Sequence, residues 1–288
     1  MRIGVDDAEP AREKGQRALS DQAPEELGDA VLHAAVAVAR EVLGEGLDAA
    51  FALGSLAHGS FAPLVSDIDL ALVLTEITAG SADLIDLLVA RAPDHSPLER
   101  RLSVFWSDWP GVRRGAARGR LPEVDRLDLI DSGRLIYGVD RRDDAERPSA
   151  GAITLDAALF AASRFDEVYL DSVRWPDALL AGGARPVTKA VLFPVRLVYT
   201  LHTGRIGQND RAGRWYQDTG RPGHALAEAA LTWRTLGLGD TGRAGVLLAA
   251  DLPTLYRQLF TEYAHWARRR ADHRLAGRFD DLSARLSH

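Results

Sequence analysis

Two aspartates stand at the start of an otherwise apolar strand in the segment GSLAHGSFAPLVSDIDLALVL, residues 54 to 74. Because side chains alternate between the two faces of a strand, Asp67 and Asp69 point to the same face, with alpha carbons roughly 7 Å apart. Two anions on one face repel each other, and a cation between them is the usual remedy. Hard oxygen ligands suit Mg²⁺, so the pattern predicts a magnesium site held by Asp67 and Asp69.

A glycine-serine turn precedes this strand. The apolar run AAFALGS is expected to end at Gly54, with a helix beginning near Ser55. Such a turn directs unpaired backbone N–H groups and a hydroxyl toward the mouth of the sheet, where they stabilise a phosphate. Phosphate donors and paired carboxylates that face one cleft are the parts of metal-assisted phosphoryl or nucleotidyl transfer.

The composition excludes several classes of protein. The 288 residues include no cysteine, which rules out disulfides and thiolate metal sites, and 46% are hydrophobic without an apolar run long enough to span a membrane. We find no secretion signal and expect a cytoplasmic location and no membrane partner. The net charge of −6 gives no indication of nucleic-acid binding and tolerates a cationic small substrate.

The order of predicted elements indicates an α/β fold followed by helices. Residues 1–22 are polar and patternless, which predicts a flexible tail. Residues 23–148 alternate between helix and strand and predict a domain with a mixed sheet flanked by helices. The segment RRDDAERPSAG is the best linker candidate. Residues 149–288 then predict an all-α helical-bundle domain.

Within these domains we expect a helix from Pro24 to about Leu43 and one continuous helix from Leu155 to about Val173. Further helices are expected over 187–202, 211–218, 224–236 and 246–271. The segment DWPGVRRGAARGRLPEVDR is predicted to be a basic surface loop.

Taken in order, Gly54-Ser55, Gly59-Ser60 and the run from Ser66 to Leu70 resemble the signature of the DNA polymerase β-like nucleotidyltransferase superfamily. A second segment, AVLFPVRLVYTLHTGRIGQNDRAGRWY, is similar to the C-terminal helical region of aminoglycoside adenylyltransferases of the streptomycin/spectinomycin type. The resemblance implies a nucleotidyltransferase domain at 23–148. It also implies transfer of NMP, with AMP from ATP as the expected case, to a hydroxyl of a small molecule, for which an aminoglycoside-like acceptor is the family's suggestion, with Mg²⁺ as cofactor.

The resemblance also assigns residues that bind the two substrates. Gly54, Ser55 and Arg205 would hold the nucleotide together with Asn209, which stands where the family carries a lysine. An amide donates hydrogen bonds without bringing a charge. The positive charge that the nucleotide phosphates need would therefore have to come from Arg205 or from the arginines of the basic loop. Trp175, with Asp171 or Asp177, lies where the family presents tryptophan and acidic residues to a cationic drug, although solvated positions are an alternative for these residues.

One position departs from the catalytic pattern. Ser103 stands where the superfamily places a third carboxylate, and a serine cannot take a proton at neutral pH without a base of its own. Glu99 lies too far back along the strand and Asp108 has the opposite parity. His58 has a suitable pKa for a base, but a surface or capping contact is the alternative.

Two hypotheses of different classes follow from these residues. The first is a magnesium-dependent nucleotidyltransferase with Asp67, Asp69 and Ser103 at its catalytic centre. The second is a catalytically degenerate protein of the same fold that binds a nucleotide or a partner, which Ser103 and Asn209 favour. Paired aspartates have little reason to persist on one strand face without a cation, so we favour the enzyme. The sequence leaves the acceptor, the base of the nucleotide and the oligomeric state open.

Overall fold

The computed structural model describes residues 23–115 and 118–286, so the predicted tail at 1–22 lies outside the described residues. Four strands form one sheet: β1 Leu47–Leu53, β2 Ile68–Leu74, β3 Leu102–Asp108 and β4 Arg134–Gly138. Five helices belong to the same part of the chain: α1 Pro24–Leu43, α2 Gly54–Ala57, α3 Ser81–Arg91, α4 Trp109–Arg114 and α5 Glu123–Ser132. The helices that follow are α6 Ala150–Arg164, α7 Glu167–Arg174, α8 Asp177–Ala181, α9 Ala184–Thr203, α10 Asn209–Asp218, α11 His224–Leu236, α12 Thr241–Arg269 and α13 His273–Leu286.

The sheet is mixed, as predicted, and its strands are ordered β3-β2-β1-β4. Strand β1 pairs antiparallel with both β2 and β4, whereas β2 pairs parallel with β3. Asp69 lies opposite Leu53 on β1 and opposite Ser103 on β3. The C-terminal end of β1 and the N-terminal end of β2 therefore lie side by side at the same end of the sheet.

Helices cover both faces of the sheet. Residues of even number in β1 and β2, such as Ala50 and Leu70, pack against α1 and α3. Residues of odd number, such as Phe51 and Val73, pack against α4 and α5. Because side chains alternate along a strand, Asp69 shares the face of Val73, which is the face that α5 covers. This parity decides which helix can complete the site.

Helix α1 has the bounds that its apolar spacing predicts, from Pro24 to Leu43. Proline in the first turn has no N–H to leave unpaired, and Glu25 lies favourably near the positive end of the helix dipole. Leu32 and Val36 are buried on one side of the helix against the sheet. Gly28 is needed where α1 meets α2, because an added Cβ would lie 2.6 Å from a methyl group of Leu56.

Helix α9 lies at the centre of the second part of the chain and packs against α10, α11 and α12. Two buried tyrosines of α12 donate hydrogen bonds to carbonyls of α9, Tyr256 to Ala190 and Tyr263 to Leu197. Burial, as the largest cause, raises the pKa of both phenols, so they stay neutral donors at physiological pH. These bonds fix the rotation of α9, and thereby the face that it turns toward the sheet.

Several predicted boundaries are wrong. The helix expected from Leu155 to Val173 is broken at Phe165, because Asp166 caps a new helix by accepting from the N–H of Tyr169. The first half of the basic loop is helix α4, begun by the Asp108 carboxylate, which accepts from the N–H of Gly111. Helix α13 was missed altogether.

The part of the chain that contains the sheet and the helices that follow it contact each other at the end of the sheet where β1 ends. Arg234 of α11 donates to the carbonyl of Ser60 and pairs with Asp210 of α10. Arg185 and Lys189 of α9 both reach Asp67. The site predicted from the sequence therefore lies at this junction.

Across the described residues, no helix is both long enough and apolar enough to cross a membrane.

Candidate functional site

Asp69 is the carboxylate at the centre of the predicted site. Burial, and next the neighbouring charge of Asp67, raise the pKa of Asp69 to about 6. Its carboxylate lies against Gly54, where an added Cβ would come within 2.4 Å of Asp69 Oδ2. Gly54 also has a φ of +60°, which glycine adopts at little expense. Glycine is therefore required at position 54 for two reasons, the left-handed backbone conformation and the closeness of the Asp69 carboxylate.

Asp67 lies one residue before β2 and is bound by two cations from α9. Arg185 Nη2 lies 2.5 Å from Asp67 Oδ1, and Lys189 Nζ lies 2.5 Å from Asp67 Oδ2. The two aspartates do repel each other, as predicted, since Asp67 contributes to the raised pKa of Asp69. In this structure, however, two side chains of the protein neutralise Asp67. Both belong to residues that lie more than 110 positions from Asp67 in the sequence.

A third carboxylate, which the sequence analysis missed, closes the turn after β1. Asp128 of α5 accepts a hydrogen bond of 2.8 Å from the N–H of Gly54 and one of 2.6 Å from His58 Nε2. The side chains of Asp128 and His58 are both 8% exposed, so the pair is almost fully removed from solvent. His58 is therefore a partner of Asp128. The N–H of Gly54 is occupied, so its predicted contact with a phosphate would require an exchange of this bond.

Asp125 is a fourth carboxylate of the same cluster and was also missed. It lies one helical turn before Asp128 on α5, and burial, followed by the charges of Asp69 and Asp128, raises its pKa to about 7. Arg196 of α9 acts in the opposite direction on both Asp69 and Asp125. The available signal was the spacing of three between Asp125 and Asp128, which places two carboxylates on one helix face.

Ser103 occupies the position that the register predicts. It lies directly opposite Asp69 on the parallel strand β3, and therefore on the same face of the sheet. A hydroxyl at this point can donate or accept a hydrogen bond but cannot act as a base by itself. The carboxylates that surround Asp69 come from α5 and not from β3.

A cleft of about 570 Å³ opens beside this acidic cluster, between the turn after β1 and helix α10. Residues of the turn, of α9, of the α9–α10 connection and of α10 line it: His58, Gly59, Ser60, Tyr199, Arg205, Gln208, Asp210, Arg211, Arg214, Trp215 and Asp218. Three arginines and an aromatic wall suit an anionic ligand with a flat ring.

Two residues predicted to bind the nucleotide differ in their relation to this cleft. Arg205 lies in its wall, with its backbone N–H bonded to the Thr203 hydroxyl. Asn209 begins α10 and is flanked by Gln208 and Asp210, which line the cleft while Asn209 does not. Ser55, in the second position of α2, is half-buried beside Gly54. Their roles toward a nucleotide stay predictions.

The predicted acceptor residues lie on α7 and α8. Trp175 follows α7 and is 70% exposed. Asp171 forms an ion pair with Arg174, which also binds Glu167. Asp177 is the first residue of α8. Over the described ranges, we find no hydrogen bond or ion pair that joins any of these three predicted residues to Asp67 or Asp69.

Three arginines of the basic segment form contacts with other parts of the protein. Arg113 binds Asp144, Arg118 binds Asp108, and Arg120 donates to the carbonyl of Val104. They therefore contribute to the fold around β3, and the cleft draws its positive charge from α10 and the connection before it.

The donor set at Asp67 and Asp69 fits a hard divalent cation in chemical type. Both side chains offer only oxygen, and the raised pKa of Asp69 reflects burial first and then the charge of Asp67, which a cation would neutralise. Within residues 23–115 and 118–286, no group of three or more His, Asp or Glu side chains is arranged to hold a metal ion. Two carboxylates are enough for Mg²⁺ when substrate phosphates complete its ligands, but Asp67 would first have to exchange Arg185 and Lys189.

Comparison with known proteins gives limited results. No family model matches the chain, and no curated protein matches it. Among solved structures, it is similar to spectinomycin adenyltransferase AAD(9) from Enterococcus faecialis, crystallised with ATP and spectinomycin. The similarity has a TM-score of 0.44 with 15% sequence identity, and it covers 90% of this chain and 98% of that one. This likeness is too weak to assign the chain to a family.

Proposed function

We propose that this protein is a nucleotidyltransferase that moves NMP from an NTP, with ATP as the first donor to test, to a hydroxyl of a small molecule. The observation that carries the proposal is the position of the acidic cluster. Asp67, Asp69, Asp125 and Asp128 form one interacting cluster, and His58, which bonds Asp128, also lines the cleft that Arg205, Arg211 and Arg214 line. Carboxylates beside a cationic, aromatic-walled cleft supply the parts of nucleotidyl transfer.

In this proposal the cleft holds the nucleotide. The arginines face its phosphates, and Trp215 and Tyr199, whose rings meet edge to face at 5.5 Å, offer an aromatic wall to its base. Asp67 and Asp69 hold Mg²⁺, which supplies charge neutralisation at the phosphoryl oxygens when it is bound. The predicted contacts of Gly54, Ser55 and Arg205 belong to the phosphate end of the same cleft.

The transfer needs one proton acceptor. The acceptor hydroxyl oxygen forms a bond to the α-phosphorus, the bond from that phosphorus to the β-phosphate bridging oxygen breaks, and pyrophosphate leaves with its electrons. The hydroxyl proton goes to a base. Asp128 is engaged with Gly54 and His58, and Ser103 is no base, so Asp125 is the carboxylate of the cluster left for this task.

A second candidate function is supported by the contacts of Asp67. A degenerate protein that had lost metal binding would keep its fold by pairing Asp67 with side chains of its own, as Arg185 and Lys189 do here. Ser103 favours the same reading. Such a protein would bind a nucleotide or a partner in the cleft without turnover.

Calorimetry separates the two functions. The purified protein is titrated with ATP, GTP, CTP and UTP, each with and without Mg²⁺, and pyrophosphate release is then measured for every NTP that binds. Binding that requires Mg²⁺ and is followed by pyrophosphate release supports the enzyme. Nucleotide binding that Mg²⁺ does not alter, with no pyrophosphate released, supports the degenerate protein.

A further inference from the structure

Two cations bind the carboxylate of Asp67, and a third lies near it. Arg185 and Lys189 bind its two oxygens, and Arg101 lies close enough that the charge of Arg185 lowers the pKa of Arg101, after burial as the larger cause. Arg101 is held in place by the carbonyls of Pro63 and Ser66. Asp67 therefore has more cationic than anionic side chains on the side of Arg185, Lys189 and Arg101, while Asp69 lies on its other flank within the acidic cluster.

The cationic group is accessible to a ligand. The side chains of Arg185 and Lys189 are 34% and 46% exposed, so both can reach solvent as well as Asp67. The Nε of Arg185 is buried and has no hydrogen-bond partner among the described residues. The exposed ends of the two side chains, and not this buried Nε, are the donors that an incoming anion can reach.

The cationic group and the nucleotide cleft lie at different positions along helix α9. Both sites are served by α9, where Lys189 contacts Asp67 and Tyr199 lines the cleft. Ten residues of α-helix separate these two side chains along the axis by about 15 Å. A nucleotide in the cleft therefore leaves the end of α9 at Arg185 and Lys189 free for the second substrate.

We propose that the acceptor is an anionic small molecule, a phosphorylated or carboxylated alcohol, whose negative group is bound by Arg185, Lys189 and Arg101. This inference rests on the proposed nucleotidyl transfer and replaces the cationic, aminoglycoside-like acceptor that the sequence resemblance suggested. A metal ion held by Asp67 would take the place of Arg185 and Lys189, which would then be available to the acceptor. The hydroxyl of the acceptor then forms the bond to the α-phosphorus, pyrophosphate leaves, and Asp125 takes the proton.

A polycationic acceptor is disfavoured at this end of α9. It would meet three like charges, each of which repels it, and a metal ion at Asp67 would add to the repulsion. Of the acidic residues predicted to attract it, Asp171 is already paired with Arg174. Fixed positive charge near an acceptor thus acts as a selection against cationic ligands.

The test uses three probes that share a sugar ring and differ in charge: glucose 6-phosphate, glucose and glucosamine. Each is titrated by calorimetry into the full-length protein loaded with Mg²⁺ and a non-hydrolysable ATP analogue, and streptomycin is titrated as a fourth probe. The double variant Arg185→Gln/Lys189→Gln is compared with Arg243→Gln/Arg257→Gln, which removes two exposed arginines of α12.

The expected result is that glucose 6-phosphate binds at least tenfold more tightly than glucosamine or streptomycin. The double variant on α9 should abolish that preference, the α12 control should keep it, and both should bind the ATP analogue within threefold of wild type. Absence of binding by glucose 6-phosphate, tighter binding by a cationic probe, or a preference unchanged in the α9 variant would overturn the inference.

Failure of the proposed function has a different signature. If the ATP analogue does not bind wild-type protein with Mg²⁺, the nucleotidyl transfer itself is wrong, and the acceptor inference falls with it. If the analogue binds wild type but loses tenfold or more in Arg185→Gln/Lys189→Gln, the two cations hold the nucleotide phosphates, and only the acceptor inference is overturned.

Discussion

The carboxylate of Asp128 accepts a hydrogen bond from the backbone N–H of Gly54, across 74 residues of sequence. Helix α5 is thereby fixed against the turn that follows β1, and it brings Asp125 toward Asp69. The acidic centre is therefore built by two elements, the start of β2 and one face of α5. Asp125 thereby supplies a carboxylate near Asp69, whose neighbour on β3 is Ser103 and not an acidic residue.

The position of Asp125 predicts that Asp125→Asn abolishes most of the activity. Loss of a general base lowers the rate by a factor of about 10² to 10⁴. Ser103→Ala should leave kcat within threefold, because its hydroxyl takes no proton. The measurement is pyrophosphate release under saturating Mg²⁺-ATP with an acceptor that supports turnover. Equal losses in the two variants would show that the serine matters as much as the carboxylate.

The surroundings of Asp67 and Asp69 predict opposite effects on stability when each is changed to Asn. Asp69→Asn removes a buried charge that is repelled by its neighbour and should raise the free energy of unfolding by about 1–3 kcal/mol at pH 8. Asp67→Asn leaves Arg185 and Lys189 unpaired and should lower it by about 1 kcal/mol or less, since all three side chains are partly exposed. Urea denaturation without divalent cations measures both.

Both substitutions should weaken nucleotide binding that depends on Mg²⁺ by tenfold or more, because each removes a carboxylate ligand. The stability data separate loss of a ligand from loss of the fold, since Asp69→Asn is expected to bind Mg²⁺-nucleotide less tightly while being more stable. A stabilised Asp69→Asn variant with unchanged Mg²⁺-dependent affinity would remove Asp69 from the metal site.

Gly54 and Gly59 form a matched pair for the conformation of the turn. Both have left-handed φ, +60° and +67°, but a Cβ at Gly54 meets Asp69 Oδ2 at 2.4 Å, whereas a Cβ at Gly59 meets nothing within 4 Å. Gly59→Ala should lower the free energy of unfolding by about 1 kcal/mol through backbone strain alone. Gly54→Ala should lower it by about 2–4 kcal/mol, because Asp69 is displaced as well. If urea denaturation shows similar losses of unfolding free energy for the two variants, the Asp69 side chain moves aside at little cost.

Glu262 of α12 predicts an acid-sensitive contribution to stability. Burial by itself would raise the pKa of this carboxyl, but hydrogen bonds from His202, Gln258 and Arg221 outweigh burial and lower it. The lowered pKa means that its contribution is present above the unfolded pKa and is lost as the pH falls through the folded pKa. Glu262→Gln should therefore destabilise by about 1 kcal/mol at pH 7 and by much less at pH 3. Thermal unfolding at both pH values tests this, and an equal difference at the two values contradicts it.

Sequence periodicity was sufficient where one apolar stripe dominates an element. Helix α1 has its predicted bounds, and β2 carries Asp69 on the same face as its apolar residues that pack against α4 and α5. The break at Phe165 was missed because the apolar spacing continues through it, and only the cap formed by Asp166 ends one helix and begins the next.

The site was harder to predict than the fold because its contacts are long-range. Carboxylates three residues apart on a helix are usually solvated, so Asp125 and Asp128 carried no distinctive signal until α5 was placed against Gly54. The pairing of Asp67 with Lys189 spans 122 residues and depends on how α9 packs, which no local pattern encodes.

The central claim is that Asp67 and Asp69 hold a divalent cation together with a nucleotide. The most direct measurement is anomalous scattering from crystals of the protein grown with Mn²⁺ and a non-hydrolysable ATP analogue. The account predicts one anomalous peak coordinated by oxygens of Asp67, Asp69 and the analogue, with Arg185 and Lys189 released from Asp67. An analogue bound with no peak at these aspartates, and with both cations still paired to Asp67, would contradict it.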